Sequence, residues 1–157
     1  MKAPTHLIFA NFFAAFLGAL ANVVLGPIEF IFVSLGAVLP DIDTPESAIG
    51  KMFLPVSTYL ERKFGHRTIT HSLLGLLIFS LLFLPLLIFK QSYVCLILGI
   101  LSHLILDSIN KTGIPLFYPN LIRAIIPRNE KFRILTGSKE EKIFLSILTG
   151  FLVLTIP

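Results

Sequence analysis

Tryptophan is absent from this 157-residue chain, cysteine occurs once, and charged residues make up only 14% of it. A lone cysteine cannot close an intrachain disulfide. Cys95 lies in the apolar stretch YVCLILGIL, where a free thiol packs as a small hydrophobe. The scarcity of charge excludes more. A soluble domain carries about 25% charged residues, whereas this chain is 55% hydrophobic and has a mean hydropathy of +0.87. Such a balance argues against water as the only solvent. Nothing within the chain reads as a linker or repeat, so residues 1–157 are expected to form one membrane-embedded domain.

Apolar runs cover about 7–25, 28–40, 73–89, 93–106 and 143–157. A hydrocarbon core about 30 Å thick calls for about 20 helical residues. The first run meets that length, the third nearly does, and the second and fourth are short. Gly26-Pro27 separates the first two runs, and Lys90-Gln91 marks a turn between the third and fourth. A signal-peptide reading of the first run is disfavoured because cleavage would discard His6 and because later runs are also expected to span. The expectation is an all-α integral membrane bundle of about five hydrophobic segments.

Charge gives that bundle an orientation. With the N-terminus inside, Lys2, Lys51, Arg62, Lys63, Arg67 and all seven basic residues between 107 and 142 are cytoplasmic, leaving only Lys90 of the 13 outside. This is the positive-inside pattern, and it puts the polar loops on the cytoplasmic face. The basic loops lack interleaved aromatics and adjoin apolar runs, so anionic lipid head groups are the expected partner rather than nucleic acid. STYLERKFGH reads as a short amphipathic surface helix stopped by Gly65. Ser138-Lys139-Glu140-Glu141 reads as a capping box opening the last helix.

The chemistry-bearing residues sit at the ends of the apolar runs. His6 opens the first, Asp41 and Asp43 close the second in LPDID, His66 and His71 precede the third in HRTITHS, and His103 and Asp107 end the fourth. In an up-and-down bundle these seven residues share one membrane face, which is improbable by chance. HLILD places His103 and Asp107 one helical turn apart on one face, able to bind a single ion. Two carboxylates at a helix C-terminus are unfavourable unless a cation offsets them. Histidine and carboxylate ligands suit zinc, manganese or iron, with zinc favoured, and a shared aspartate can bridge two ions. The expected metal ligands are His6, Asp41, Asp43, His71, His103 and Asp107. Arg67 is expected to brace an anionic substrate with its planar fork, and His66 to act as ligand or proton carrier.

His6, LPDID, HRTITHSL and HLILDSINKTGIPLFYP, in this order among apolar runs, resemble the LexA-regulated, membrane-bound metal-dependent hydrolase family, the YdjM-like group. The resemblance extends to the final helix. It implies an inner-membrane, metal-dependent hydrolase; Asn110 stands where that family commonly has threonine, so no hydroxyl role carries over there. Phosphoester chemistry, with a phospholipid as one candidate substrate, is the expected activity. Two other readings stay open: a non-catalytic membrane metal-binding protein or carrier, and a phosphatidic-acid-phosphatase-like enzyme working without metal. The second lacks its KxxxxxxRP and PSGH motifs here, and no HExxH string supports a zinc protease.

Overall fold

The structure is a computed structural model that describes residues 1–155. Among these the fold is helical, with α1 (Ala3–Leu20), α2 (Pro27–Val38), α3 (Ala48–Met52), α4 (Leu54–Phe64), α5 (Leu73–Leu82), α6 (Lys90–Ile109) and α7 (Lys139–Thr155). Short 3-10 turns cover Leu39–Asp43, Leu84–Phe89 and Glu130–Phe132. Two isolated β-bridges, Asn110 with Ile134 and Ile114 with Ala124, pin the long segment between α6 and α7. The last two residues of the run 143–157 lie outside the described residues.

Five spans were expected; among the described residues two helical stretches are long and apolar enough to cross a membrane, Ala3–Leu20 and Leu84–Ile109. Proline accounts for part of the difference. Pro40, lacking an N–H, falls where α2 tightens into a 3-10 turn after 12 residues. Pro85 does the same after the 10-residue α5. Lys90 and Gln91 are not a turn: they open α6, and the helical break falls at Phe89, with φ −100° and ψ 68°. The break at Gly26-Pro27 is as expected, with Gly26 N–H donating to Glu29 Oε2 at 3.0 Å.

Packing is closest where α2 meets α6. A Cβ on Gly36 would collide with the Leu96 carbonyl, and one on Gly99 with the Val33 carbonyl. The two backbones touch through paired glycines, the device by which helices approach in an apolar solvent. Val33, Ala37, Leu96 and Ile100 are buried around them. The small residues Ala10 and Ala14 of α1 join the same core. Gly99→Ala should therefore lower unfolding free energy by about 1–3 kcal/mol through overpacking. Gly150, whose added Cβ meets nothing within 4 Å, is the control; there alanine should gain a few tenths to about 1 kcal/mol from helix propensity. Denaturant unfolding in detergent tests both, and equal effects would refute the crossing.

The starts of α1 and α7 are tied near the same point. Ser138 Oγ accepts from Glu141 N at 3.2 Å, as the first half of a capping box. The Glu141 carboxylate does not complete that box. It accepts instead from Gly137 N at 2.5 Å, Lys2 N at 2.7 Å and Thr5 Oγ1 at 2.9 Å. One buried glutamate thus supplies partners for the open N-termini of α7 and α1 and fixes the rotation of α1 that turns His6 inward.

Candidate metal centre

α1 starts, and α2 and α6 finish, at one end of the bundle, and the polar residues capping these helices meet there. His103 comes from the last turns of α6. Its Nδ1 lies 2.7 Å from the Ala37 carbonyl. A carbonyl only accepts, so Nδ1 carries the proton and Nε2 keeps its lone pair. His71 lies in the loop before α5. Its Nδ1 is 3.2 Å from Asp43 Oδ2 and 3.0 Å from Thr70 Oγ1, which again turns Nε2 inward. The two Nε2 atoms are 3.2 Å apart.

Two carboxylates complete the group. Asp41 Oδ1 is 3.5 Å from His71 Nε2 and 3.7 Å from His103 Nε2. Asp107 Oδ2 is 3.8 Å and 3.9 Å from the same atoms. A tetrahedral ion with bonds of about 2.0–2.2 Å has ligand–ligand edges of about 3.3–3.6 Å. The His71 and His103 nitrogens and the Asp41 oxygen, 3.2–3.7 Å apart, are close to that spacing and form a group able to hold one cation, with Asp107 Oδ2 slightly farther out. Asp107 Oδ2 is buried and makes no hydrogen bond, its charge being met by the Arg67 guanidinium 3.1 Å away.

Asp43, expected as a ligand, takes a different place. Its Oδ1 is bonded to His66 Nδ1 at 2.9 Å, while Oδ2 accepts from Arg67 N at 2.9 Å and Thr70 Oγ1 at 2.6 Å. Both oxygens are occupied, and the carboxylate stands behind His71. This is the carboxylate–histidine arrangement that fixes a ligating imidazole from the far side. His66 is 40% exposed and touches Asp43 rather than the four-atom group. Arg67 reaches in from the rim: Nη2 is 3.1 Å from Asp107 Oδ2 and Nη1 donates to Thr112 Oγ1 at 3.1 Å. Its backbone is left-handed, φ 57°, a conformation costly for arginine and held here by the N–H bond to Asp43. His6 is fully buried and stacks on His103, with ring centroids 3.8 Å apart and planes 11° apart.

The match to known proteins agrees with this arrangement in one respect: it covers all of its residues. A family described as YdjM inner membrane protein matches residues 1–156. The chain belongs to that family. The inner membrane protein YdjM of Escherichia coli (strain K12) is 33% identical over 143 residues, 81% of this chain and 70% of that protein, and its counterpart in Shigella flexneri gives the same figures. The uncharacterized protein YvsG of Bacillus subtilis (strain 168) is 40% identical over 116 residues, 74% of this chain and 70% of that one. No solved structure matches.

In this member of the YdjM family two participants escaped the sequence reading. The Ala37 carbonyl carries no sequence signal at all. Thr70 stood in view within HRTITHS, where only the histidines and arginine drew notice. The ionisation of the loop residues follows from their neighbours. Burial alone would raise the Asp41 pKa, but the bond to His71 and the charge of His103 outweigh it and bring it to about 2. Asp43 is likewise driven well below the usual range by His66 and His71. Burial disfavours charge on His71, yet the Asp41 and Asp43 carboxylates prevail and push it up to about 9.

The raised pKa favours a proton on His71 Nε2, the atom turned towards His103. A cation must displace it. Metal affinity should fall about tenfold per pH unit below about 9, with about one proton released per ion at pH 7. Asp41, ionised throughout, adds no slope in this window. Zinc titration calorimetry at pH 6, 7 and 8 in buffers of different ionisation enthalpy checks this; an affinity flat across that range would refute it.

Proposed function

We propose that the protein is a membrane-bound, metal-dependent hydrolase acting on a phosphoester, with a phospholipid as one candidate substrate, at the cytoplasmic face of the inner membrane. The observation that carries this reading is the convergence of four donor atoms: the Nε2 atoms of His71 and His103, 3.2 Å apart, with oxygens of Asp41 and Asp107 3.5–3.9 Å from each. Such an N₂O₂ set suits zinc first, with manganese or iron as alternatives. A divalent ion held there supplies Lewis acidity and activates water. The chain's own residues do the rest. Asp43 and the Ala37 carbonyl hold the two imidazoles in the ligating tautomer. Arg67 meets the anionic substrate oxygens from the rim, beside Thr112. His66, half-exposed and bonded to Asp43, carries protons between the site and water.

The multi-pass, N-terminus-inside arrangement rests on the charge pattern, with Lys90 the sole basic residue on the far side. A reporter fused at Lys90 should score as external; a cytoplasmic score overturns the orientation. The enzyme reading is tested by incubating the purified, zinc-loaded or manganese-loaded protein with phosphomonoester, phosphodiester and phospholipid panels. Metal-dependent release of phosphate or head group is the expected result.

One observation favours a second reading, a non-catalytic metal-binding membrane protein. Four protein ligands around one ion leave no open position, as in structural zinc sites. Metal retained without turnover of any phosphoester would decide for it. In the catalytic reading, the position comes from Asp107, whose Oδ2 is shared with Arg67 at 3.1 Å.

A further inference from the structure

His6 cannot serve the ion that the other four residues surround. An imidazole binds a metal through a lone pair lying in the ring plane. The His6 and His103 rings are stacked 3.8 Å apart with only 11° between planes. An ion in the plane of His103 therefore stands well off the plane of His6, beyond the roughly 2.0–2.1 Å that a zinc–nitrogen bond allows. Yet both ring nitrogens of His6 are buried and make no hydrogen bond of good geometry, Nε2 meeting only Asp107 Oδ1 at 3.3 Å, a condition rare in folded proteins and one that calls for an explanation.

Asp107 supplies it. Its two oxygens face different ways. Oδ2 looks towards His71, His103 and Arg67. Oδ1 looks towards His6, 3.3 Å from Nε2, and towards the amine of Met1 at 2.5 Å. Both the amine and the carboxylate are fully buried, so a positive charge already occupies the ground on the Oδ1 side. Burial of that kind is tolerated only for paired charge, and the ammonium on Oδ1 marks this side of the carboxylate as ground that accommodates a cation.

We propose a second divalent-cation site formed by His6 Nε2 and Asp107 Oδ1, so that Asp107 bridges two ions. This goes beyond the single-ion centre on which it rests. A carboxylate bridging through both oxygens sets two ions about 3.5–4 Å apart, the separation at which paired metals clamp a phosphoryl group. The ion on the Oδ1 side has fewer protein ligands, so its remaining positions are available to water and substrate. It binds more weakly than the first, and it competes with the Met1 ammonium for Oδ1.

The test is the metal content of full-length protein in detergent, titrated with manganese alone and read by elemental analysis and electron paramagnetic resonance. Wild type should take up two ions per chain and give the spectrum of a spin-coupled pair. His6→Gln should take up one ion and give the uncoupled six-line signal, with the first ion's affinity changed by less than about threefold. One ion per chain in wild type, or two coupled ions in His6→Gln, overturns the proposal. The wild-type stoichiometry needs no variant, so the proposal stays exposed even if His6→Gln fails to fold. Uptake of a single ion by both proteins defeats the second site and leaves the first intact, whereas no uptake by wild type defeats both.

Discussion

Asp107→Ala should abolish turnover and metal content together. Asp107 contributes one oxygen to the four-atom group, 3.8–3.9 Å from both ligating imidazoles. Losing a residue that merely orients a ligand typically weakens metal affinity about 10–100-fold; losing a ligand should exceed the upper end of that range. The substitution also removes the counter-charge of Arg67 Nη2, 3.1 Å away. An arginine left partly buried beside His71 and His103 repels an incoming cation, which adds to the deficit. Asp107→Asn separates the two causes, because it keeps the volume and one oxygen but removes the charge. Equilibrium dialysis against zinc, run beside a phosphoesterase assay, is the measurement. Full metal occupancy in Asp107→Ala would remove Asp107 from the ligand set, and with it the tetrahedral reading.

How much of this was legible beforehand depends on which kind of pattern each residue belongs to. The grouping of His6, Asp41, His71, His103 and Asp107 at one end of the bundle could be read from their positions at the ends of apolar runs, since helices of alternating direction bring those ends to one face. The HxxxD spacing likewise fixed His103 and Asp107 to one face of α6. The division of labour between Asp41 and Asp43 could not be read. LPDID folds as a 3-10 turn, Leu39–Asp43, in which residues two apart point about 120° away from each other. One carboxylate therefore enters the cluster and the other passes behind His71, and no composition rule says which.

The stacking of His6 on His103 was equally hidden, because it depends on the rotation of α1, set from afar by Glu141. That two rather than five of the apolar runs form helices of spanning length has a third reason. Hydropathy registers apolar residues but not the 3-10 segments at Leu39–Asp43 and Leu84–Phe89 that shorten or divide the α-helices. The amphipathic helix ending at Gly65 was legible, since a glycine at φ 80° leaves a local signature.

Arg67→Ala should separate catalysis from metal binding. Its guanidinium bridges Asp107 and Thr112 at the edge of the centre, and its side chain is 17% exposed, the most open of the groups touching Asp107. From there it can meet a substrate anion without ligating an ion itself. Loss of one preorganised charge-stabilising donor typically costs about 3–4 kcal/mol, or roughly 100- to 1,000-fold in rate. Metal content should hold, since no ligand is lost, and the N–H bond from residue 67 to Asp43 survives because it belongs to the backbone. The left-handed φ of 57° is about as costly for alanine as for arginine, so the loop has no new reason to move. Arg67→Lys refines the test: it restores the charge but not the planar fork, and should recover only part of the rate. The competing account, in which Arg67 merely extends towards lipid head groups, expects no more than about a few-fold change. Activity near wild type in Arg67→Ala, with metal retained, would decide for that account and remove arginine from the reaction.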